Sequence, residues 1–301
     1  MPARAGDGPR TPSLTNPRSD RVKAVRALAG RSARSRHGQL LVEGPQGVRE
    51  AVRCAASRVR DVYATSEALD RNPEIGADAA AAGVRLHVAT PEVLTAMSGD
   101  AQGVLAVVHQ EAVSLDVLLG AGAARPSLVA VLAAVRDPGN AGTVIRAADA
   151  AGADLVVLAG DSVDVHNPKV VRSTAGSLFH VPVVTGVTLA DTVSQLHSAG
   201  LTVLAADGAG DLDLDDLLDV AGARDVEREP GERAPGVPDL SSPTAWVFGN
   251  EAWGLPVADR ELADAVVRVP IRGRAESLNL ATAATVCLYA SGRAQRPARR
   301  G

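Results

Sequence analysis

The chain has 301 residues, enough for two ordinary domains, and its 2% aromatic content argues against a protein that stacks single-stranded nucleic acid on aromatic platforms. The formal net charge of −4, taken alone, also argues against a nucleic-acid partner. However, basic residues predominate from Met1 to Arg60 and acidic residues from Asp207 to Glu232, and this asymmetry favours one basic face for a polyanion.

The N-terminal part of the chain predicts a short tail and a small domain. Residues 1–17 are rich in Pro, Arg, Gly and Ser, which is typical of a disordered tail. Residues 18–110 are predicted to form an α/β domain that opens with a helix over Arg21–Gly30. Its strands are predicted at 39–42, 59–64, 84–89 and 103–109, with helices between them. Three arginines after the first helix are expected to contact phosphates: Arg31, Arg34 and Arg36.

The C-terminal part predicts a larger domain over residues 127–292, joined by a linker at 111–126. Leu128–Val135 is apolar without alternation, which is typical of a strand buried on both faces of a parallel sheet. Helices and strands alternate after it, so we predict a doubly wound, mostly parallel α/β sheet. Residues 221–243 are predicted to be a disordered insertion, and 293–301 a basic tail.

The first candidate motif, Arg136–Arg146, lies directly after this buried strand and leads into a helix. Ligands of open α/β sheets gather outside the carboxyl ends of the strands, which is where this motif is expected. Asn140 could cap the helix or hold a ligand, and Arg146 could be solvated or point back over the cleft. The GxxG at Gly139–Gly142 also fits a KH domain, but the parallel-sheet pattern around it disfavours that fold.

The second candidate motif, Trp246–Leu255, follows another predicted strand. Gly249, where that strand ends, permits close approach of the backbone to a ligand. Glu251 lies in an apolar loop, where the lost solvation of a carboxylate is costly unless the carboxylate is paired. An ordinary strand–turn is the alternative interpretation.

The third candidate motif, Val269–Ala284, is a short apolar run, a polar loop and the start of a small-residue helix. Ser277 and Asn279 could simply cap this helix, or they could hold a substrate or cofactor beside its free backbone N–H groups. All three motifs stand at strand ends in one domain, so together they predict a single ligand pocket.

Other classes of site are disfavoured. Cys54 and Cys287 form no CxxC pair and the histidines have no metal-ligand spacing, so we expect neither a disulfide framework nor a metal site. No apolar run reaches membrane-spanning length and the N-terminus has no apolar signal region, so a cytoplasmic protein without a membrane partner is expected.

With the three motifs in view, residues 127–292 resemble the catalytic domain of the SpoU/TrmH family of RNA 2′-O-ribose methyltransferases, in the SPOUT superfamily. Residues 18–110 resemble the ribosomal-protein L30e-like substrate-binding domain that often precedes it, and Asn167–Val183 also matches the family. The pairing of this domain with Trp246–Leu255 is similar to actinomycete 23S rRNA methyltransferases of the antibiotic-resistance type. The resemblance implies S-adenosylmethionine as methyl donor, a homodimer, and a C-terminal trefoil knot, a rare exception to unknotted topology.

The resemblance also implies roles for single residues. Gly249, Val269 and Leu278 would present backbone groups to the cofactor. The chain departs from the family in the loop before the last helix, where Arg272 and Arg274 replace small or apolar residues. These two arginines are expected to add RNA contacts or to change which nucleotide fits, and the acidic stretch 211–232 is expected to lie away from the RNA.

The catalytic set implied by the resemblance is Asn140, Arg146, Glu251, Ser277 and Asn279. Asn140 and Arg146 would organise the reacting ribose and its phosphate, Glu251 would hold the neighbouring loop or an arginine, and Ser277 and Asn279 would complete the pocket. Because the pKa of a guanidinium lies above about 12, Arg146 is a poor general base. We therefore expect it to clamp a phosphate while a phosphate oxygen or water takes the hydroxyl proton.

The sequence offers one further candidate proton acceptor and three alternative functions. His180 is an acceptor by residue type, but its apolar flanks favour a core histidine. The favoured RNA is large-subunit rRNA, and tRNA is second. A non-catalytic RNA-binding protein on the same fold is a further alternative, whereas a nicotinamide-dependent oxidoreductase is disfavoured because no GxGxxG follows the first strand of either domain.

Overall fold

The computed structural model describes residues 11–120, 122–222 and 237–295, which fall into two units. The first comprises the described residues up to Glu111 together with His166–Phe179, and the second comprises Ala112–Val165 and the described residues from His180 onward. Of the segments predicted to be disordered, residues 1–10, 223–236 and 296–301 lie outside the described residues.

Described parts of those same segments are ordered, contrary to the prediction. The amides of Ser13 and Leu14 donate to the carbonyl of Val88 at 2.8 and 3.1 Å. Leu240 is fully buried, and the last helix continues to Ala294. The composition of a segment does not predict these contacts, because a single buried apolar residue or a single pair of backbone hydrogen bonds can hold a polar segment in place.

The first unit is built on a four-stranded sheet of order β1-β4-β2-β3, in which β4 is antiparallel to both neighbours and β3 is parallel to β2. Alternate side chains divide its core between the two faces, with Leu40 and Val42 on one and Leu41 and Tyr63 on the other. The elements are α1 Asp20–Ala27, α2 Arg31–His37, β1 Gln39–Glu43, α3 Pro45–Cys54, β2 Val59–Ala64, α4 Ser66–Arg71, α5 Pro73–Ala81, β3 Leu86–Val88, α6 Pro91–Met97, β4 Val104–His109 and α9 Pro168–Ser173.

The segment His166–Phe179 packs in the first unit, although the sequence assigns it to the second domain. Val171 of α9 joins the core beside β1. The Nη1 atom of Arg172 lies 2.5 Å from Oε2 of Glu43, whose side chain is only 4% exposed. A buried carboxylate is costly unless it is paired, so Glu43 needs the cation that α9 supplies.

The second unit contains a seven-stranded sheet of order β7-β6-β5-β10-β8-β11-β9, and every pairing in it is parallel. This confirms the predicted α/β fold with a mostly parallel sheet. The strand order runs outward in both directions from the neighbours β5 and β10, which makes their carboxyl ends a topological switch point. The elements are α7 Leu115–Leu119, β5 Leu128–Ala133, α8 Pro138–Ala151, β6 Leu155–Ala159, β7 Val183–Val187, α10 Leu189–Ser198, β8 Thr202–Ala206, β9 Leu212–Asp213, α11 Leu214–Gly222, β10 Thr244–Phe248, α12 Val257–Arg260, β11 Ala265–Arg268 and α13 Leu280–Ala294.

Helix α13 is held against both the sheet and α8. The indole N–H of Trp246, a fully buried residue of β10, donates to Oγ of Ser291 at 2.8 Å. At Gly292 the backbones approach so closely that a Cβ atom would lie 2.4 Å from the carbonyl oxygen of Ala151 at the end of α8. These contacts fix the helix that carries the third motif at its N-terminus.

The buried thiol of Cys287 and the lengths of the helices bear on the expectations about cysteines and membranes. Cys287 is fully buried, and burial raises the pKa of its thiol to about 12. Its sulfur therefore stays protonated at neutral pH and behaves as an apolar group. Within the described ranges, no helix is both long and apolar enough to span a bilayer.

We predict that Gly292→Ala lowers the free energy of unfolding by about 1–3 kcal/mol, because the added methyl group overlaps a backbone oxygen that cannot move aside. The matched control is Gly222→Ala in α11, where a Cβ atom would meet nothing within 4 Å. That variant should be neutral or more stable by up to about 1 kcal/mol. Urea unfolding of both variants measures the difference, and equal stability of the two would contradict the proposed close packing.

Candidate functional site

The loops after β5 and β10 meet because these strands are parallel neighbours with their carboxyl ends at the same edge of the sheet. The loop after β5 contains the first motif, and the loop after β10 contains the second. The third motif enters through the N-terminus of α13, which packs on both α8 and β10.

A chain of hydrogen bonds connects the three motifs through Glu251. Its Oε2 atom accepts the amide of Arg136 at 3.4 Å, and its Oε1 atom accepts the amide of Asp137 at 3.1 Å and Nδ2 of Asn140 at 3.3 Å. Oδ1 of Asn140 in turn accepts Nδ2 of Asn279 at 3.1 Å. Glu251 is exposed, yet three donors pair with it, and three of the predicted catalytic residues form one network.

The two asparagines of this network differ in how they relate to their helices. Asn140 does not cap α8, since Asp137 does so by accepting the amide of Asn140 at 2.7 Å. Asn279 does cap α13, through Oδ1, which accepts the amides of Ala281 and Thr282 at 2.9 and 3.4 Å. Its Nδ2 group remains available for Asn140, so capping and the network are compatible.

A second bridge between the same loops comes from Asn250, which sequence analysis did not single out. It is 6% exposed, and its Nδ2 group donates to the carbonyl of Ala134 at 2.7 Å. Ala134 adopts a positive φ of 52°, a conformation that non-glycine residues hold only where the surroundings enforce it.

A cavity of ≈ 650 Å³ lies at the carboxyl ends of β8, β10 and β11. Five predicted site residues line it, namely Gly249, Glu251, Val269, Ser277 and Leu278. Asn140, Arg146 and Asn279 are not among its lining residues, although Asn140 contacts Glu251 at its edge. The lining also includes residues that sequence analysis did not predict: Asp207, Asp213, Trp253, Arg268 and Glu276.

Gly249 is required for the shape of the cavity edge. A Cβ atom at this position would lie 2.4 Å from the carbonyl carbon of Gly254, so no other residue fits without moving the backbone. Gly254 itself has a φ of +68°, and its amide and carbonyl both pair with Asn250. The loop is therefore closed by backbone hydrogen bonds that hold its side chains in place.

Asp207, at the end of β8, is the most connected of the lining residues that were not predicted. Its carboxylate accepts the amide of Ala209 at 2.9 Å, the amide of Leu255 at 3.4 Å and Nη1 of Arg260 at 3.4 Å. In the sequence, Asp207 belongs only to an acidic stretch, because no motif marks the end of β8.

Arg146 lies on an exposed face of α8. No hydrogen bond or ion pair engages it among residues 11–120, 122–222 and 237–295. His180 is exposed rather than in the core, and its Nδ1 atom lies 2.8 Å from a carboxylate oxygen of Asp149. The prediction of a core histidine, which is based on the apolar neighbours of His180 in the sequence, is therefore wrong.

The arginines predicted to bind RNA occupy different environments. Arg31 and Arg36 are exposed on α2, but Arg34 is 3% exposed and donates to the carbonyls of Leu28 and Ala29 at 3.2 and 2.6 Å. Its guanidinium thus satisfies carbonyls at the end of α1, and the expectation of a phosphate contact is corrected. The sequence predicts no helix over the residues of α2, so it does not show which of the three arginines points inward.

The acidic stretch does not lie wholly apart from the site. Arg274 is exposed, but Arg272 forms an ion pair with Asp215. Asp213 lines the cavity and lies 3.4 Å from Arg268. Asp213 borders the cavity because the sheet places β9 beside β11, and the expectation that residues 211–232 lie away from the RNA stays a prediction.

Comparison with known proteins gives a consistent family. Residues 127–289 match the SpoU rRNA Methylase family, and residues 41–113 match a domain described as RNA 2′-O ribose methyltransferase substrate binding. The 23S rRNA (guanosine(2553)-2′-O)-methyltransferase RlmP of Bacillus subtilis is 30% identical over 278 residues, which cover 92% of this chain and 97% of that relative.

Two solved structures are similar over nearly the whole chain. The AdoMet-bound rRNA methyltransferase from Sinorhizobium meliloti has a TM-score of 0.73 and 28% identity, and covers 93% of this chain and 97% of its own. The SpoU methyltransferase AviRb from Streptomyces viridochromogenes, in complex with AdoMet, has a TM-score of 0.69 and 31% identity, with 92% and 98% covered.

We predict that Asn140→Asp lowers the free energy of unfolding by about 1–2 kcal/mol at pH 7, because two carboxylates then face each other without a proton between them. The loss should shrink at high salt concentration, which screens the repulsion between the two carboxylates. Thermal unfolding at low and high salt concentration is the measurement.

The matched control for this substitution is Asn167→Asp. Asn167 caps α9 by accepting the amide of Lys169 at 3.0 Å, and aspartate caps a helix equally well. This variant should unfold like the unsubstituted chain at pH 7. An equally stable Asn140→Asp variant would argue against the network.

Proposed function

Because the chain belongs to the SpoU rRNA methylase family, we propose that it transfers a methyl group from S-adenosylmethionine to a ribose 2′-hydroxyl of 23S rRNA. The observation that carries this proposal is the network of Glu251, Asn140 and Asn279 at the edge of a cavity lined by Gly249 and Leu278. It brings all three family motifs to one place, as a reaction between two ligands requires.

The cavity suits the cofactor in size and lining. At ≈ 650 Å³ it falls within the range of about 300–1,000 Å³ that is usual for small-molecule sites. Leu278 and Ile271 offer apolar surface, while Asp207 and Glu276 offer carboxylates to hydroxyl, amino or cationic groups. When bound, S-adenosylmethionine supplies an electrophilic methyl group, and Gly249, Val269 and Leu278 would hold it through backbone groups.

The protein's own groups would orient the acceptor. We propose that Asn140, Ser277 and Asn279 position the ribose by hydrogen bonds and that Glu251 keeps their loops together. Arg146 would clamp the adjacent phosphate, since its guanidinium is exposed and its charge persists at any physiological pH. A phosphate oxygen or water would take the proton that leaves the hydroxyl, because Arg146 carries no free lone pair for it.

Recognition of the RNA would extend beyond the cavity. Arg31 and Arg36 on α2 are proposed as phosphate contacts of the substrate-binding domain, and Arg272 and Arg274 as contacts near the cavity. An rRNA substrate implies a cytoplasmic enzyme. Family membership further supports a homodimer and a knotted C-terminal segment, and light scattering of the purified chain would test the dimer.

The direct test incubates the full chain with methyl-labelled S-adenosylmethionine and separate pools of unmodified 23S rRNA and tRNA. The proposal expects label in 23S rRNA, at a ribose, when methylation is mapped at nucleotide resolution. Label in tRNA alone would overturn the choice of substrate. If the chain binds RNA, does not bind S-adenosylmethionine and transfers no methyl group to either RNA, a non-catalytic protein would be favoured.

We predict that Arg146→Lys retains partial activity and weakens RNA binding together with turnover, because lysine keeps the charge but loses the bidentate geometry. Steady-state kinetics and RNA titration measure the two effects. The control is Arg71→Lys, an exposed arginine of α4 whose only role among described residues is an ion pair with Glu67. Turnover abolished at unchanged RNA affinity would contradict the phosphate clamp.

We predict that Arg31→Gln and Arg36→Gln each reduce the slope of log K against log salt concentration for RNA binding by about 0.7–0.9. Arg34→Gln is the internal contrast. It should leave that slope unchanged and instead lower the free energy of unfolding by about 1–3 kcal/mol, because the buried carbonyl of Leu28 and the partly buried carbonyl of Ala29 lose their donor. Filter binding at several salt concentrations, with urea unfolding, separates the two outcomes.

A further inference from the structure

Trp253 is a large exposed aromatic residue at the edge of the cavity. Its side chain lines the cavity, yet the residue is 55% exposed, whereas Trp246, Phe248 and Tyr63 are all buried. In a chain with only two tryptophans, one of them is thus placed in contact with solvent beside the predicted site. Single exposed apolar side chains are common on protein surfaces, so the significance of this ring rests on its position beside the cavity and on its neighbours.

Arg136 lies against the same indole ring. Its guanidinium carbon is 5.5 Å from the ring centroid, within the range of a cation–π contact. The guanidinium also pairs with Asp161 at 2.8 Å, but these side chains are 60% and 87% exposed. An ion pair so exposed contributes little and can be exchanged for a phosphate at low cost.

Both residues are held by groups already placed in the network. The amide of Arg136 donates to Glu251, and Trp253 lies two residues after Glu251 in a loop closed by the Asn250–Gly254 backbone pair. The backbone segments that carry the ring and the guanidinium are therefore held close to Asn140, which contacts the same carboxylate. A nucleotide whose ribose is held by Asn140 would have its base or its neighbour's base within reach of this pair.

We propose that Trp253 and Arg136 form a stacking platform for one RNA base at or next to the methylated nucleotide. This inference rests on the proposed function. RNA is favoured over the adenine of the cofactor because the ring is largely exposed and because a guanidinium attracts a polyanion but repels a sulfonium cation. The low aromatic content excludes a platform for many bases, but a single ring is sufficient for one.

The test compares Trp253→Phe, which keeps an aromatic face, with Trp253→Leu, which keeps apolar bulk without one. One stacked base contributes about 1–3 kcal/mol, which converts to about 5- to 140-fold. We expect Trp253→Leu to weaken binding of an unmodified 23S rRNA transcript by that factor, and Trp253→Phe to weaken it by less than half as much on a logarithmic scale. Because Trp253 also lines the cavity, the dissociation constant for S-adenosylmethionine is measured by calorimetry for both variants, and it should change by a smaller factor than the dissociation constant for RNA.

Fluorescence reports the same contact without turnover. Because Trp246 is buried and Trp253 is exposed, acrylamide should quench mainly Trp253, and the transcript should both quench its emission and protect it from acrylamide. Equal RNA affinity of the Leu and Phe variants, or a loss confined to S-adenosylmethionine affinity, would overturn the platform. Failure of the proposed function is distinguishable, since it would show as no methyl transfer by the unsubstituted chain.

Discussion

The candidate site depends on one carboxylate that is held where three segments of chain meet. Glu251 accepts two backbone amides from the loop after β5 and the side-chain amide of Asn140, so its charge is satisfied by donors from another part of the sequence. Glu251 is exposed, so each of these bonds contributes modestly, but together they oppose separation of the two loops. Asn279 then joins α13 to the same network through Asn140. The pairing of Glu251 thus contributes to the shape of the cavity edge, together with Gly249 and the bridge from Asn250 to Ala134.

Much of the fold follows from local sequence patterns. Leu128–Ala133 is an uninterrupted apolar run, and it forms β5, whose six residues are all buried between parallel neighbours. The strand Val59–Ala64 begins and ends where the sequence predicts, and Thr65, which caps the next helix, marks its end. The site could be predicted in part for the same reason: Gly249, Glu251 and Leu278 stand at strand or helix ends, and all three line the cavity.

What the sequence does not reveal depends on contacts between distant residues. Helix α2 has few apolar residues and so shows no amphipathic pattern, and only its fold places Arg34 under the end of α1 while Arg31 stays exposed. The segment around Arg172 joins the first unit because Glu43 is buried there and needs a cation. Asp207 stands out only in the structure, where three hydrogen-bond donors contact its carboxylate. Asp207 itself belongs to none of the three sequence motifs.

Composition describes the whole chain, whereas binding is decided by a few positions. A net charge of −4 coexists with exposed Arg31, Arg36 and Arg274, because carboxylates elsewhere carry the excess negative charge. Likewise, 2% aromatic content reflects cores built from Ala, Val and Leu, and it places no limit on a single ring at a cavity edge. Trp253 is the informative case, since burial would be the favourable state for its side chain and the closed loop keeps it exposed instead. Trp253 supports the proposed platform because it borders the cavity and lies against Arg136, and an average over the sequence shows neither of these contacts.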